Sequence, residues 1–190
     1  MALLILGLVL FLGTHSISIV NATWRERMVA RLGEAGWKGI YALIALLGLV
    51  LIIWGYDQAR QTAPVLYVPP AWLDHVAMLL LLPVFPLLLA AYLPGRIQGA
   101  TKHPMLAAVK FWALAHLLSN GGLADVLLFG GFLAWAVADR ISLKHRPQRP
   151  LPSAPPRGMN DLIAVTGGLI LYVAFALWLH AWLIGVAPAG

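Results

Sequence analysis

Apolar residues occupy long runs in this chain, and the polar residues between them are gathered into short connections. Six runs approach or reach the length of about 20 residues that a helix needs to cross a bilayer. They cover residues 2–20, 39–56, 71–92, 103–119, 123–138 and 160–186. Because a helix satisfies its own backbone hydrogen bonds in lipid, the pattern predicts an all-α fold. We expect a polytopic integral membrane protein, a bundle of six transmembrane helices that forms one domain over residues 1–190.

Turn-forming residues mark the predicted boundaries. Pro83 and Pro86 interrupt the third run, which predicts a kinked helix. Gly33 and Gly36 lie in the charged segment 21–38, which we interpret as a loop. The segment 140–159 is rich in proline and arginine, a composition typical of a mobile, semi-extended linker.

Composition agrees with a membrane protein and limits its chemistry. The chain is 61% hydrophobic and 11% charged, and its mean hydropathy is +0.84. About a quarter of the residues are charged in an ordinary soluble domain, so no soluble catalytic domain fits here. The absence of cysteine excludes disulfides, thiolate haem ligation and cysteine-bound zinc or iron-sulfur clusters. Any metal must therefore be bound by histidine, carboxylate or carbonyl groups.

The net charge of +6 arises from basic residues in alternate connections. The first, third and fifth connections hold four, two and five Lys and Arg residues, whereas the second holds one and the fourth none. Basic connections stay in the cytoplasm, so both termini are predicted on the non-cytoplasmic side. The basic residues thus indicate topology, and we expect membrane lipid rather than nucleic acid as a partner.

The stretch KHPMLAAVKFWALAHLLSNGG, residues 102–122, places three ionisable side chains in an apolar helix: His103, Lys110 and His116. Such residues at bilayer depth are costly and often mark a site. His103 and His116 lie thirteen residues apart, about 20 Å along the axis, so they cannot bind one small metal ion. Each histidine could instead reach headgroups or water at an interface. Lys110 could extend to the interface or pair with a haem propionate or an anionic headgroup.

For His116, the functional interpretation is an imidazole ligand to a haem held between helices. A second histidine from another run would be needed, and His15 in the first run is a candidate. Trp112 and Asn120 share the helix face of His116, which makes them candidate cofactor contacts. Ordinary apolar packing for Trp112 and a helix-end turn for Asn120 are the alternatives.

Four stretches together resemble the NnrU family of membrane proteins. They are LFLGTHS, RLGEAGWKGIYALIALLGLVLIIWGY, KHPMLAAVKFWALAHLLSNGG and LLFGGFLAWAVADRISLKHR, in the family's order between residues 2 and 146. This family is related to the 15-cis-zeta-carotene isomerase of plants and cyanobacteria, a haem b membrane enzyme. The resemblance implies a protein of the bacterial inner membrane.

The resemblance also implies roles for individual residues. His15 and His116 match the axial haem b ligands of the isomerase, and His103 in the HP motif matches a further functional histidine. Ala113 stands where the plant enzyme has a cysteine proposed as an alternative iron ligand, so a thiolate ligand is impossible here. The implied activity is cis-trans isomerisation of an apolar polyene at the haem iron.

Two other functions stay open at this point. Bacterial NnrU proteins are associated with nitrite and nitric oxide metabolism in denitrifiers, which implies a non-enzymatic accessory role. The HP motif also resembles membrane methyltransferases that use S-adenosylmethionine, although MLAAV follows the motif here and no later carboxylate motif is found after Asp139. The sequence does not define the oligomeric state.

Overall fold

The computed structural model describes residues 1–146, 151 and 153–188. Every element in these residues is helical, apart from an isolated antiparallel bridge between Val65 and Gly122. The helices are α1 Ala2–Val20, α2 Ala22–Thr62, α3 Trp72–Leu81, α4 Val84–Ala90, α5 Arg96–Thr101, α6 Pro104–Ser119, α7 Leu123–Ser142, α8 Asn160–Ala174, a π-helical segment Phe175–Leu179, and α9 His180–Ile184. The described residues therefore confirm the all-α prediction.

Four helical stretches in the described residues are long and apolar enough to cross a membrane. They are Ala2–Val20, Ala22–Thr62, Trp72–Ala90 and Asn160–Ile184. The helix α6 is apolar but has only 16 residues. In α7, every window of 18 residues contains Asp125, Asp139 and Arg140. The predicted count of six transmembrane helices is therefore not confirmed, whereas the membrane-type character of the helices is.

The chain divides into two compact units. The first unit contains residues 1–68 and 120–146, and the second contains residues 69–119 and the described residues from 151 onward. The single domain over residues 1–190 stays a prediction.

In the first unit, α1 and α2 pack so closely that glycine is required at the contact. A Cβ atom on Gly48 would lie 2.7 Å from the backbone nitrogen of Phe11, and one on Gly7 would lie 2.6 Å from that of Ile52. Gly55 faces Leu4 in the same way, and Leu4 is fully buried. Small residues that let two backbones approach are typical of helix pairs in membranes. Helix α7 packs against this pair through contacts with α1.

The prediction of a loop over residues 21–38 is wrong, because this segment forms the first part of α2. The Asn21 side chain caps the helix by accepting a hydrogen bond from the Trp24 backbone N–H at 2.8 Å. Most of the residues that follow are good helix formers. Gly33 alone departs from helical geometry, with φ 72° and ψ 163°, a conformation that glycine adopts without steric cost. The predicted span 39–56 is thus the later part of a longer helix.

The connection after α2 is bonded to the start of α7. The backbone N–H of Leu66 donates to the Gly121 carbonyl at 2.7 Å, and the Tyr67 hydroxyl donates to the Asn120 carbonyl at 2.9 Å. Burial raises the pKa of Tyr67 above its ordinary value, and the charge of Asp125 adds to the rise. The phenol therefore keeps the proton that it donates.

In the second unit, Pro83 breaks the third apolar run as predicted. Helix α3 ends at Leu81 and α4 begins at Val84, because proline lacks an N–H and clashes with the preceding turn. Helix α8 packs on α4 where Gly168 meets Pro86. The Tyr172 hydroxyl of α8 also donates to the Met78 carbonyl of α3 at 3.0 Å. These contacts fix the last apolar run against the broken third one.

The short helix α5 lies in a segment that the sequence did not predict as helical. The Asp161 carboxylate accepts hydrogen bonds from the backbone N–H groups of Arg96 and Ile97, at 2.8 and 3.1 Å. The predicted mobile loop 140–159 includes residues 147–150 and 152, which lie outside the described residues. Within the loop, the Ala154 N–H donates to the Tyr92 carbonyl at 2.9 Å.

Candidate functional site

His15 lies on α1 in the first unit, surrounded by aromatic rings. Its ring stacks on Phe11 with centroids 4.3 Å apart. Tyr41 and Trp135 meet it edge-on, with centroids at 5.3 and 5.9 Å. Its Nδ1 atom donates a proton to the Phe11 carbonyl at 2.7 Å, because a carbonyl oxygen can only accept. The Nε2 atom is therefore the nitrogen that can carry a lone pair.

The Trp135 indole beside His15 contains an unusual polar atom. Its Nε1 atom is buried, and the residues that the structure describes offer it no hydrogen-bond acceptor. Indole N–H groups usually find an acceptor when they are buried. The surroundings of His15 therefore include a donor that could bind an added group.

His116 lies on α6 in the second unit, one turn before the helix ends. Its Nδ1 atom donates to the Trp112 carbonyl at 2.8 Å, which repeats the arrangement found at His15. The ring also contacts the Trp112 indole, with centroids 5.3 Å apart. Both predicted haem ligands are thus oriented by a carbonyl four residues earlier in their own helix. Metal-binding histidines commonly donate their second nitrogen in this way.

His180 begins α9 in the second unit, and its ring lies close to that of His116. The two ring centroids are 6.4 Å apart and the ring planes differ by 27°. The helix ends at Gly185, whose φ of 78° turns the chain back. This turn brings the Val186 carbonyl to 2.7 Å from His180 Nδ1, which donates to it.

His103 lies at the start of α6 and Lys110 in its middle, and both are away from the end of the helix where His116 lies. His103 immediately precedes α6, is half-buried, and donates its backbone N–H to the Thr101 carbonyl at 2.7 Å. Lys110 is half-buried in the middle of the helix. Cofactor contacts for these two residues stay predictions.

Trp112 and Asn120 have structural contacts that agree with the alternatives stated from the sequence. Trp112 packs against a core cluster of Val84, Leu87 and Ala108. Asn120 follows the last residue of α6, and its carbonyl accepts from Tyr67. A cofactor role for Trp112 or for Asn120 stays a prediction. Ala113, whose position the resemblance matches to the cysteine of the plant enzyme, is fully buried.

Within the second unit, the described residues place the rings of His116 and His180 close together. His15 belongs to the first unit, so a joint site with His116 stays a prediction. Sequence reasoning did not place His180 in the site. A signal for it existed, because the predicted topology puts His116 and His180 in the same non-cytoplasmic half of the membrane and His15 in the other half.

The donor set at His15 and His116 is limited to single imidazole rings. Among the described residues, no three His, Asp or Glu side chains lie together as a metal site. A haem brings its own macrocycle, so the protein supplies only one or two axial ligands. Imidazole nitrogens in apolar surroundings fit that requirement.

Comparisons with known proteins give one match. A family model described as NnrU protein matches residues 3–188. No curated protein and no solved structure matches the chain.

Proposed function

The chain belongs to the NnrU family over nearly its whole length, and on that premise we propose that it is a haem b-binding membrane protein that isomerises an apolar polyene. His116 and His15 are the proposed axial ligands, as the resemblance to the carotene isomerase implies. The observation that carries the proposal is the matching orientation of these two rings. Each donates Nδ1 to a carbonyl four residues earlier, at 2.7 and 2.8 Å, which leaves Nε2 as the ligand atom.

The remaining groups at these rings fit the same proposal. The buried indole N–H of Trp135, next to His15, could donate to a carboxylate such as a haem propionate. Lys110 is the proposed cationic partner of another propionate or of a lipid headgroup. His103, Trp112 and Asn120 are the further proposed contacts.

The chain's own residues bind and orient the cofactor and exclude water from it. Bound haem would supply an iron that acts as a Lewis acid on a polyene. The imidazoles of His15 and His116 would hold the iron, and their carbonyl partners fix the ring tautomer and direction. Exposed apolar side chains cover the membrane-type helices, so an apolar substrate can approach from lipid without passing through water.

We further propose that all six apolar runs cross the bacterial inner membrane, with both termini on the non-cytoplasmic side. The absence of cysteine makes this testable, because a single introduced cysteine is the only thiol. In intact cells, a membrane-impermeant maleimide should label Gln61→Cys in the second connection. It should label Ser153→Cys in the fifth connection only after the cells are opened. Labelling of both positions in intact cells would contradict the orientation.

The activity is tested by expression in a carotenoid-producing host that accumulates 15-cis-zeta-carotene. Haem-loaded protein should convert this carotenoid to its trans isomer, measured by chromatography, and His116→Ala should abolish the conversion. Folded, haem-loaded protein without conversion would reject the isomerase activity. The accessory role in nitrite and nitric oxide metabolism would then be the function to test.

A further inference from the structure

The second unit contains an open pocket that has no part in the proposed haem function. Two segments of the chain line it, one with Gly95 and Arg96 and the other with Arg157 and Gly158, together with Asp161 of α8. Its volume is about 380 Å³, which is within the usual range for sites that bind small molecules. The lining side chains carry two positive charges and one negative charge, so the pocket favours an anion.

The two segments that line the pocket are joined by a buried amide. The Asn160 side chain donates to the Pro94 carbonyl at 2.8 Å and to the Pro155 carbonyl at 3.1 Å. Asn160 is only 3% exposed, so these bonds are protected from water. The pocket is therefore a formed feature of the fold, held by the start of α8.

The negative charge in the pocket is already engaged by the backbone. The Asp161 Oδ2 and Oδ1 atoms accept from the N–H groups of Arg96 and Ile97. In the part of the chain that the structure describes, no carboxylate forms an ion pair with Arg96 or Arg157, and both residues are exposed. Guanidinium groups match the oxygens of phosphate in geometry as well as in charge. A phosphate group is thus the anion that best suits these two arginines.

The pocket lies where two membrane-type helices end. The segment with Arg96 follows the stretch Trp72–Ala90, and the segment with Arg157 precedes the stretch Asn160–Ile184. Residues that directly flank a membrane-crossing helix lie at the level of the lipid headgroups. A phosphate at this level belongs most simply to a phospholipid.

Apolar side chains next to the pocket distinguish a lipid from a soluble phosphate. Met159, Leu162 and Ile163 follow the lining residues in sequence, and all three are exposed. They can contact the acyl chains of a lipid whose headgroup is bound by the arginines. Inorganic phosphate would make no such contact.

We propose that this pocket binds the headgroup of an anionic phospholipid, with Arg96 and Arg157 as its cationic contacts. The topology predicted from loop charge places both segments in the cytoplasm, where the leaflet carries anionic lipid. Basic pockets between membrane helices on that side bind such headgroups. The proposal does not depend on haem, so the two can fail separately.

The test titrates the full-length protein in detergent with phosphatidylglycerol and measures the bound fraction by native mass spectrometry. Phosphatidylcholine with the same acyl chains is the zwitterionic comparison and should bind more weakly. Each arginine near an anionic lipid contributes a factor of about five, so Arg96→Gln/Arg157→Gln should bind phosphatidylglycerol about 25-fold more weakly. Equal affinity of the wild type for the two lipids would overturn the proposal.

The matched control is Arg27→Gln/Arg31→Gln. It removes two exposed arginines of α2 on the same predicted side of the membrane, and it should leave the affinity for phosphatidylglycerol unchanged. An equal loss in both double variants would show attraction by net charge alone and would overturn a site at the pocket.

Two further measurements separate the role of charge and the source of the phosphate. Arg96→Lys/Arg157→Lys should bind phosphatidylglycerol more tightly than the glutamine variant, since lysine also binds phosphate. Equally weak binding by the lysine variant, with the unfolding temperature of the wild type, would contradict recognition by charge. Inorganic phosphate should not displace the lipid at equal concentration, and displacement would identify a site for a soluble phosphate instead.

Discussion

The two compact units place their histidines in different surroundings. In the first unit, His15 is enclosed by the rings of Phe11, Tyr41 and Trp135. In the second unit, His116 lies beside another imidazole, that of His180. Aromatic packing holds the first ring in one orientation, whereas the second ring lies next to a ring that can itself gain or lose a proton. Histidines in apolar helices of one chain can therefore have different partners.

The polar bonds of the two units also differ. In the first unit, carboxylates accept from side chains, with Tyr56 donating to Asp125 at 2.5 Å and Arg146 bonded to Asp139. In the second unit, Tyr172 and Asn160 donate to backbone carbonyls, at 3.0 and 2.8 Å. Bonds to a charged group contribute about 1.5–3 kcal/mol, against about 1 kcal/mol for neutral ones. Single substitutions should therefore act unequally on the two units.

The largest effect is expected at the contact between α8 and α4 in the second unit. In Gly168→Val, the new Cβ would lie 2.5 and 2.6 Å from the Cδ and Cα atoms of Pro86. Because those atoms belong to a proline ring and the backbone, the helices must separate, at a cost of more than about 3 kcal/mol. We expect loss of the monodisperse peak in size-exclusion chromatography. Gly130→Val is the control, since nothing lies within 4 Å of a Cβ at Gly130.

A smaller loss of stability is expected from Asp139→Ala in the first unit. The Asp139 and Arg146 side chains are only 13% and 18% exposed, so the variant leaves a nearly buried cation without its partner. We expect about 2 kcal/mol less stability, below the 3–5 kcal/mol found for fully buried pairs. Thermal unfolding in detergent measures it.

The matched control for this pair is Asp57→Ala. The Asp57 side chain is 57% exposed, so its ion pair with Arg60 is an exposed one. The pair should contribute less than about 1 kcal/mol to stability. Equal shifts in unfolding temperature for the two alanine variants would contradict the distinction between a buried and an exposed pair.

The smallest difference in stability is expected between the same substitution made in the two units. Tyr56→Phe removes a bond to a carboxylate and should cost about 1.5–3 kcal/mol, whereas Tyr172→Phe removes a bond to a carbonyl and should cost about 1 kcal/mol. Both variants keep the ring and its packing. If Tyr172→Phe proved the more destabilising in the same unfolding assay, the proposed difference in polar bonding would be wrong.

Much of the fold could be predicted from the sequence, because an apolar run that crosses lipid must form a helix. The first run gives α1 with its predicted bounds, and Pro83 breaks the third run as predicted. The segment 21–38 was misread because its charges and two glycines suggested a loop. Charged residues also form helices at a membrane surface, and here only Gly33 leaves helical geometry.

Only part of the candidate site could be predicted from the sequence. The orientation of His15 and His116 follows from helical spacing, which places a carbonyl four residues earlier near each ring. His116 and His180 lie 64 residues apart in the chain, so the proximity of their rings depends on tertiary packing, which no local pattern shows. The hydrogen bond between Tyr56 and Asp125 could not be predicted from the sequence for the same reason.

The most direct measurement of the central proposal is the visible absorption spectrum of purified wild type and His116→Ala, oxidised and reduced. His116 is one of the two proposed axial ligands. The account predicts a bis-imidazole haem spectrum in the wild type and its loss in His116→Ala. A folded wild type without haem, or an unchanged spectrum in His116→Ala, would contradict it.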